Sequence, residues 1–119
     1  MIQTQWMLRS DHMSRDDAQL RASRILSIQE AVAQTFGVAV EELSKEGGAR
    51  MVSMPRQIAI YLSREMTGAS AAEIGRYFGG KDPSTVRYSI IRIHELRRTD
   101  TALDNALSRL EAALTAREV

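Results

Sequence analysis

ASAAEIGRYFGGKDPSTVRYSIIRIHEL, Ala69 to Leu96, is the stretch that decides the fold. Ser70 stands three residues before Glu73, a capping-box spacing, and opens a short helix whose Ala71, Ile74 and Phe78 point inward. Gly79 follows where a helix ends in the left-handed conformation, which glycine adopts without a Cβ penalty. Asp82 reads as the N-cap of a second helix, its carboxylate accepting from the free amides of the first turn. Pro83 suits the first helical position, where the missing N–H loses nothing. In this longer helix Val86, Ile90, Ile93 and Leu96 form the expected buried stripe, leaving Lys81, Ser84, Arg87, Arg92 and Arg98 for the outer surface. A short helix, a glycine turn and a longer helix with a polar, cationic start make a helix-turn-helix.

Upstream, in PRQIAIYLSREMTG, Ile58, Tyr61, Leu62 and Met66 mark one inward face of a helix that starts near Pro55 and ends at Gly68. Arg56, Gln57 and Arg64 are left on its polar side. Met51 and Met54, at the start of this segment, read as core fillers. Before it lies a glycine-containing loop, SKEGGARMVSM, and Val40 to Leu43 fit one further turn. A first helix from about Arg15 to Phe36 carries the stripe Leu20, Ile25, Ile28, Val32 and Phe36, with a break expected near Ser27 and a stop at Gly37. Downstream, Leu103, Leu107, Leu110 and Leu114 predict a last helix whose leucines pack into the core, the seam being too short for a coiled coil. No segment alternates with period two, so the chain is expected to be all-α. Residues 1–14 are expected to be a flexible N-terminal segment, and residues 15–119 one domain with its core in 27–98 and a C-terminal helix.

Length and composition narrow the function classes. A chain of 119 residues is one domain on size. It has no cysteine, which excludes a disulfide framework and a thiolate metal site. No apolar run approaches the roughly 18 residues of a membrane span, which with the absence of a signal-peptide core leads to the expectation of a cytoplasmic protein without a membrane partner. Net charge is +1, but residues 50–98 carry nine basic and four acidic side chains, with net-negative segments on both sides. Such a basic centre is the electrostatic footprint of a nucleic-acid binder, although a solvated helical face gives similar counts.

Other constellations read as structural. His12 and His94 lack partners at metal-ligand spacing. Asp16–Asp17 and Glu41–Glu42 come with no nucleophile or cofactor motif, so no catalytic residue, metal or cofactor is assigned. GRYFGGK has the glycine and lysine spacing of a phosphate loop, but Asp82 follows Lys81 where Ser or Thr is required, so no nucleotide site is assigned. Trp6 is expected to be disordered or docked on its own fold.

A helix-turn-helix sets its second helix into the major groove, N-terminal residues nearest the base edges. Here those are Lys81, Asp82, Pro83, Ser84 and Thr85, whose hydroxyls and short carbon surfaces suit bases, phosphates or a thymine methyl. The same spacing also fits an ordinary helical hairpin with a polar corner.

The run PRQIAIYLSREMTGASAAEIGRYFGGKDPSTVRYSIIRIHEL, Pro55 to Leu96, resembles the C-terminal DNA-binding domain of the bacterial replication initiator DnaA family, and the likeness extends upstream through Ser27 to Lys45. The resemblance implies a compact, TrpR-like helical domain that binds double-stranded DNA. It places Lys81, Asp82, Ser84 and Thr85 at the base-proximal corner, Arg56, Gln57, Arg64 and Arg92 at backbone-contact positions, and Arg50 as the one candidate for a minor-groove contact. Two departures stand out. Pro83 replaces the family's usual histidine, and the loop has Glu46, Gly47 and Gly48 where the family is arginine-rich. The reading is of a non-enzymatic, stand-alone regulator of replication or transcription acting by site occupancy, nucleoid-associated or phage-encoded. The alternative is an interaction module with weakened DNA binding, acting on replication proteins. A homodimer and a replication-protein partner both stay open.

Overall fold

The computed structural model describes the backbone of residues 2–47 and 50–117 and the side chains of residues 17–47 and 51–117. Its helices are α1 (Ile2–Phe36), α2 (Arg50–Thr67), α3 (Ala71–Tyr77), α4 (Pro83–Thr99) and α5 (Thr101–Arg117), with a 3₁₀ helix at Val40–Ser44 between the first two. The described residues contain no strand, as the all-α expectation requires.

Helix α1 runs through Ser27 without the expected break. Ile25, Ile28, Ala31, Val32 and Ala33 bury its inner face, and Phe36 packs partly against the core. Leu20 corrects the expected stripe: it is 47% exposed and lines a shallow groove with Leu114 and Arg117, because only the end of α5 reaches it. Gly37, at φ +67°, closes the helix as predicted, and the Val38 amide donates to the Ala33 carbonyl across the turn. The 3₁₀ helix that follows buries Leu43 completely.

Helix α2 begins at Arg50, about a turn and a half before the proline signal, so Pro55 lies inside it rather than at its first position. The proline lacks the N–H that would reach the Met51 carbonyl. Of the two methionines expected in the core, Met54 packs against it and Met51 is 75% exposed. The single inward stripe was also too narrow. Ile58 through Ser63 are all buried, because α2 packs against α1 and α4 and is covered on several sides.

In α4 the buried positions are Val86, Ser89 and Ile93, while Ile90 and Leu96 are only half-buried. The inward face is therefore rotated toward Ser89, whose small side chain lets α4 approach α2 closely. Leu107, Leu110 and Leu114 of α5 join the core as expected, and Leu103 packs at its edge.

Arg97, near the end of α4, fastens α5 in place. Its guanidinium donates to Asp104 at 2.6 Å, to both carboxylate oxygens of Glu111 at 2.8 and 3.1 Å, to the Ser108 hydroxyl at 3.0 Å and to the Tyr61 hydroxyl at 3.2 Å. It also lies over the Tyr61 ring, 5.9 Å from the centroid. The Glu111 hydrogen bonds, opposed by partial burial and helped by Asp104 and Tyr61, hold the Arg97 proton more tightly than in a free guanidinium. Burial raises the Tyr61 phenol, with the Arg97 hydrogen bond opposing.

Candidate nucleic-acid interface

The corner between α3 and α4 is built around one carbonyl. Gly75 O accepts from the amides of Phe78 at 3.2 Å, Gly80 at 2.9 Å and Lys81 at 2.9 Å, winding the chain back on itself. Gly79 and Gly80 both take positive φ, +82° and +76°. At Gly79 a Cβ would collide with the Ser44 carbonyl oxygen, and at Gly75 with that of Lys81. Glycine is therefore required at Gly79 for conformation and for space.

The predicted caps are in place. The Ser70 hydroxyl accepts from the Glu73 amide at 3.1 Å, but the Glu73 carboxylate does not complete a capping box; it pairs through both oxygens with Arg21 of α1. Asp82 accepts from the Ser84 amide at 2.9 Å and from its hydroxyl at 2.8 Å. The amide bond, reinforced by the hydroxyl, holds the Asp82 carboxyl below the usual aspartate range. Pro83 occupies the first position of α4.

Two cations expected to face outward instead hold the segment before α2, Arg56 from within α2 and Lys81 from the corner. Arg56 is only 8% exposed, a correction to its expected place on the polar side of α2. Its Nε donates to Leu43 O at 3.2 Å, Nη1 to Gly47 O at 2.9 Å and Nη2 to Glu42 O at 2.7 Å. Lys81 Nζ donates to Phe78 O at 2.8 Å and Lys45 O at 3.0 Å. Burial pushes its ammonium below the ordinary lysine value, the neighbouring Arg56 charge acts in the same direction, and Glu46 opposes them.

These groups line a cleft of about 560 Å³ beside the start of α4, together with Gln57, Asp82, Thr85 and Ser89. Thr85 is exposed in its lining, and the adjacent Ser84 is exposed at the start of α4. The outer face of α4 then runs between two further grooves. One is lined by Arg64, Ser70, Ala71, Arg87, Ile90 and Ile91. The other is lined by Ser53, Met54, Gln57, Tyr88 and Arg92. Across this second groove Arg92 Nε donates to Gln57 Oε1 at 3.1 Å. Arg64 is exposed and donates to the Ala69 carbonyl at 2.7 Å, tying α2 to the turn that leads into α3. Arg87 is exposed and makes no hydrogen bond with any described residue. Arg50 opens α2, but its side chain, like that of Trp6, lies outside the described residues.

The structure thus gathers Gln57, Lys81, Asp82, Thr85, Arg87 and Arg92 along one helix and its edges, and withdraws Arg56. Tyr88 and Ile91 were missed by the sequence reading. They are 58% and 62% exposed on the outer face of α4. The signal was available: with Val86 and Ile93 inward, positions 84, 88 and 91 fall on the opposite side of the helix.

Residues 25–93 match the family model described as the bacterial dnaA protein helix-turn-helix. Over 90 residues the chain is 44% identical to the chromosomal replication initiator protein DnaA of Thermus thermophilus, covering 76% of this chain and 21% of that protein. Over 94 residues it is 44% identical to the initiator of the same name from Lactobacillus delbrueckii subsp. bulgaricus, covering 79% and 21%. The chain therefore spans about a fifth of the length of the curated relatives it matches. The matched region contains the whole of α2, α3 and the corner that leads into α4, and on this ground the chain belongs to the bacterial DnaA helix-turn-helix family.

Proposed function

We propose that this chain binds double-stranded DNA through α3 and α4 and regulates replication or transcription in the bacterial cytoplasm by occupying its sites. The observation that carries the reading is the exposed face of α4, with Ser84 and Thr85 at its start and an arginine-bearing groove on each side. A helix about 10–12 Å across fits a major groove about 12 Å wide, and the two flanks then meet the two phosphate backbones. Ser84 and Thr85 are the base readers in this arrangement. Arg64, Arg87 and Arg92 are the phosphate contacts, and Arg50 remains the candidate for the adjacent minor groove. Pro83 offers a base only carbon surface, so the preferred site differs from one read by a side-chain donor at that position.

Selection of bound sequences from a random duplex pool, followed by a salt titration, tests this. Enrichment of a short site is expected, with a log Kd against log [salt] slope that becomes shallower by about 0.9 for each of Arg87→Gln and Arg92→Gln. No enrichment, or slopes unchanged by both substitutions, refutes it. A palindromic site indicates a dimer, and a single half-site a monomer.

A second reading is favoured by one observation. Tyr88 and Ile91 place two large apolar groups on the outer face of α4. On this reading the fold is an interaction module with weakened DNA binding that acts on replication proteins. Retention of a replication protein that is abolished by Tyr88→Ser with Ile91→Ser, without specific duplex affinity at low salt, supports it over the first.

A further inference from the structure

The cleft beside the start of α4 differs in charge from the groove that Arg64 and Arg87 share. Among the described residues its charged lining consists of two cations, Arg56 and Lys81, and two carboxylates, Glu46 and Asp82. Both cations have their donors directed at backbone carbonyls. The Asp82 carboxylate is engaged by Ser84. Glu46 is exposed, lines the cleft, and makes no hydrogen bond or ion pair with any described residue. Among the described residues the Arg64 and Arg87 groove has two cations and no carboxylate in its lining, and the groove on the other side has Arg92 and none.

We infer that Glu46 is a negative specificity determinant for the duplex: it repels phosphate from the cleft at the start of α4 and leaves backbone contact to the Arg64, Arg87 and Arg92 flanks. The inference rests on the DNA-binding reading above. The charge pattern gives the duplex a preferred register on α4, because a phosphate placed over the cleft meets a carboxylate with no partner among the described residues while one placed over either flank meets arginine. Arg56 and Lys81 cannot cancel this effect by swinging outward without releasing the carbonyls of residues 42, 43, 45 and 47 that they hold. Glu46 also favours the protonated ammonium of Lys81, so its charge is felt inside the cleft. The consequence is a chain whose affinity is held below what its fold permits and whose choice of site depends on one exposed side chain.

The test uses the full chain and the duplex that the wild type enriches from a random pool. Glu46→Gln removes the charge with little change of shape, and the exposed Glu30 of α1, outside all three grooves, serves in Glu30→Gln as a control with the same change of net charge. One unit charge acting on a nearby phosphate through water is worth about threefold in affinity at low salt, shrinking as the Debye length falls below about 10 Å. Glu46→Gln is therefore expected to tighten binding about threefold near 50 mM salt, to converge on wild type at high salt, and to relax the selected site. Glu30→Gln should not change affinity by more than a small fraction of that. An unchanged Glu46→Gln affinity, with the wild type binding its site, overturns this inference and leaves the DNA reading standing. An equal gain in both variants assigns the effect to net charge and also overturns it. Failure of the wild type to bind any duplex overturns the DNA reading and this inference together.

Discussion

Arg56 gives the sharpest prediction, because its structural role and its family-derived role make different demands on the side chain. If it were a phosphate contact, replacing it would weaken DNA binding and leave the fold intact. In the structure it is buried and its three nitrogens each hold one backbone carbonyl, of Leu43, Gly47 and Glu42. A hydrogen bond from a charged donor contributes about 1.5–3 kcal/mol, and an ordinary one about 0.5–1.5 kcal/mol. Only the bond to Leu43 is fully buried; the other two carbonyls are part-buried and regain water when the arginine is lost. Counting the first near the charged value and the others near the bottom of the ordinary range gives about 3 kcal/mol for Arg56→Ala. With about 2.1 cal/mol/K of unfolding entropy per residue, this lowers Tm by about 12 °C. Thermal and urea denaturation followed by circular dichroism measure it. Arg56→Lys is the discriminating variant: it keeps the charge but cannot reach three carbonyls, so it should recover less than half of the lost stability. A Tm within about 2 °C of wild type for Arg56→Ala would refute the clamp, since the buried bond to Leu43 alone is worth more than that.

Gly79→Ala and Gly80→Ala should separate conformation from space: Gly80→Ala is expected to cost about 1–2 kcal/mol for its positive φ alone, and Gly79→Ala at least twice that in urea unfolding, because its Cβ also meets the Ser44 carbonyl. Arg97→Met should lower stability by about 1–2 kcal/mol, the pairs with Glu111 and Asp104 being partly exposed, and should increase hydrogen exchange across α5 more than across α2. Because the folded Asp82 carboxyl titrates below its unfolded value, its capping contribution is present above the ordinary aspartate range and is lost as pH falls through the lowered folded pKa; the acid limb of stability against pH should be flatter in Asp82→Ala than in wild type.

What the sequence determined by itself is what local physics controls. The helix-turn-helix was legible because Ser70, Gly79, Asp82 and Pro83 act within a turn of their own positions: a cap needs a side chain two or three residues from the amide it serves, and a left-handed stop needs glycine whatever packs nearby. Leu107, Leu110 and Leu114 were legible because a helical period places them on one face. The corrections fall where the deciding partner is distant in sequence. Pro55 could enter the second turn of α2 only because the preceding residues also joined the helix, which a proline signal alone does not reveal. The spacing of Leu20 fits the core stripe, but in the fold it meets only the end of α5 among the described residues and stays 47% exposed. Polar type and surface position also part company at Arg56, Lys81, Arg97 and Glu73. Each finds carbonyls, carboxylates or a cation brought in from another element, and no periodicity within one helix can report that encounter. The sequence therefore determined that the helix-turn-helix corner exists, because its caps and stops are local. Only the tertiary structure decided which cations remain available on α4 and which are held inside, because a guanidinium or ammonium is bound by whichever acceptors the packed chain presents.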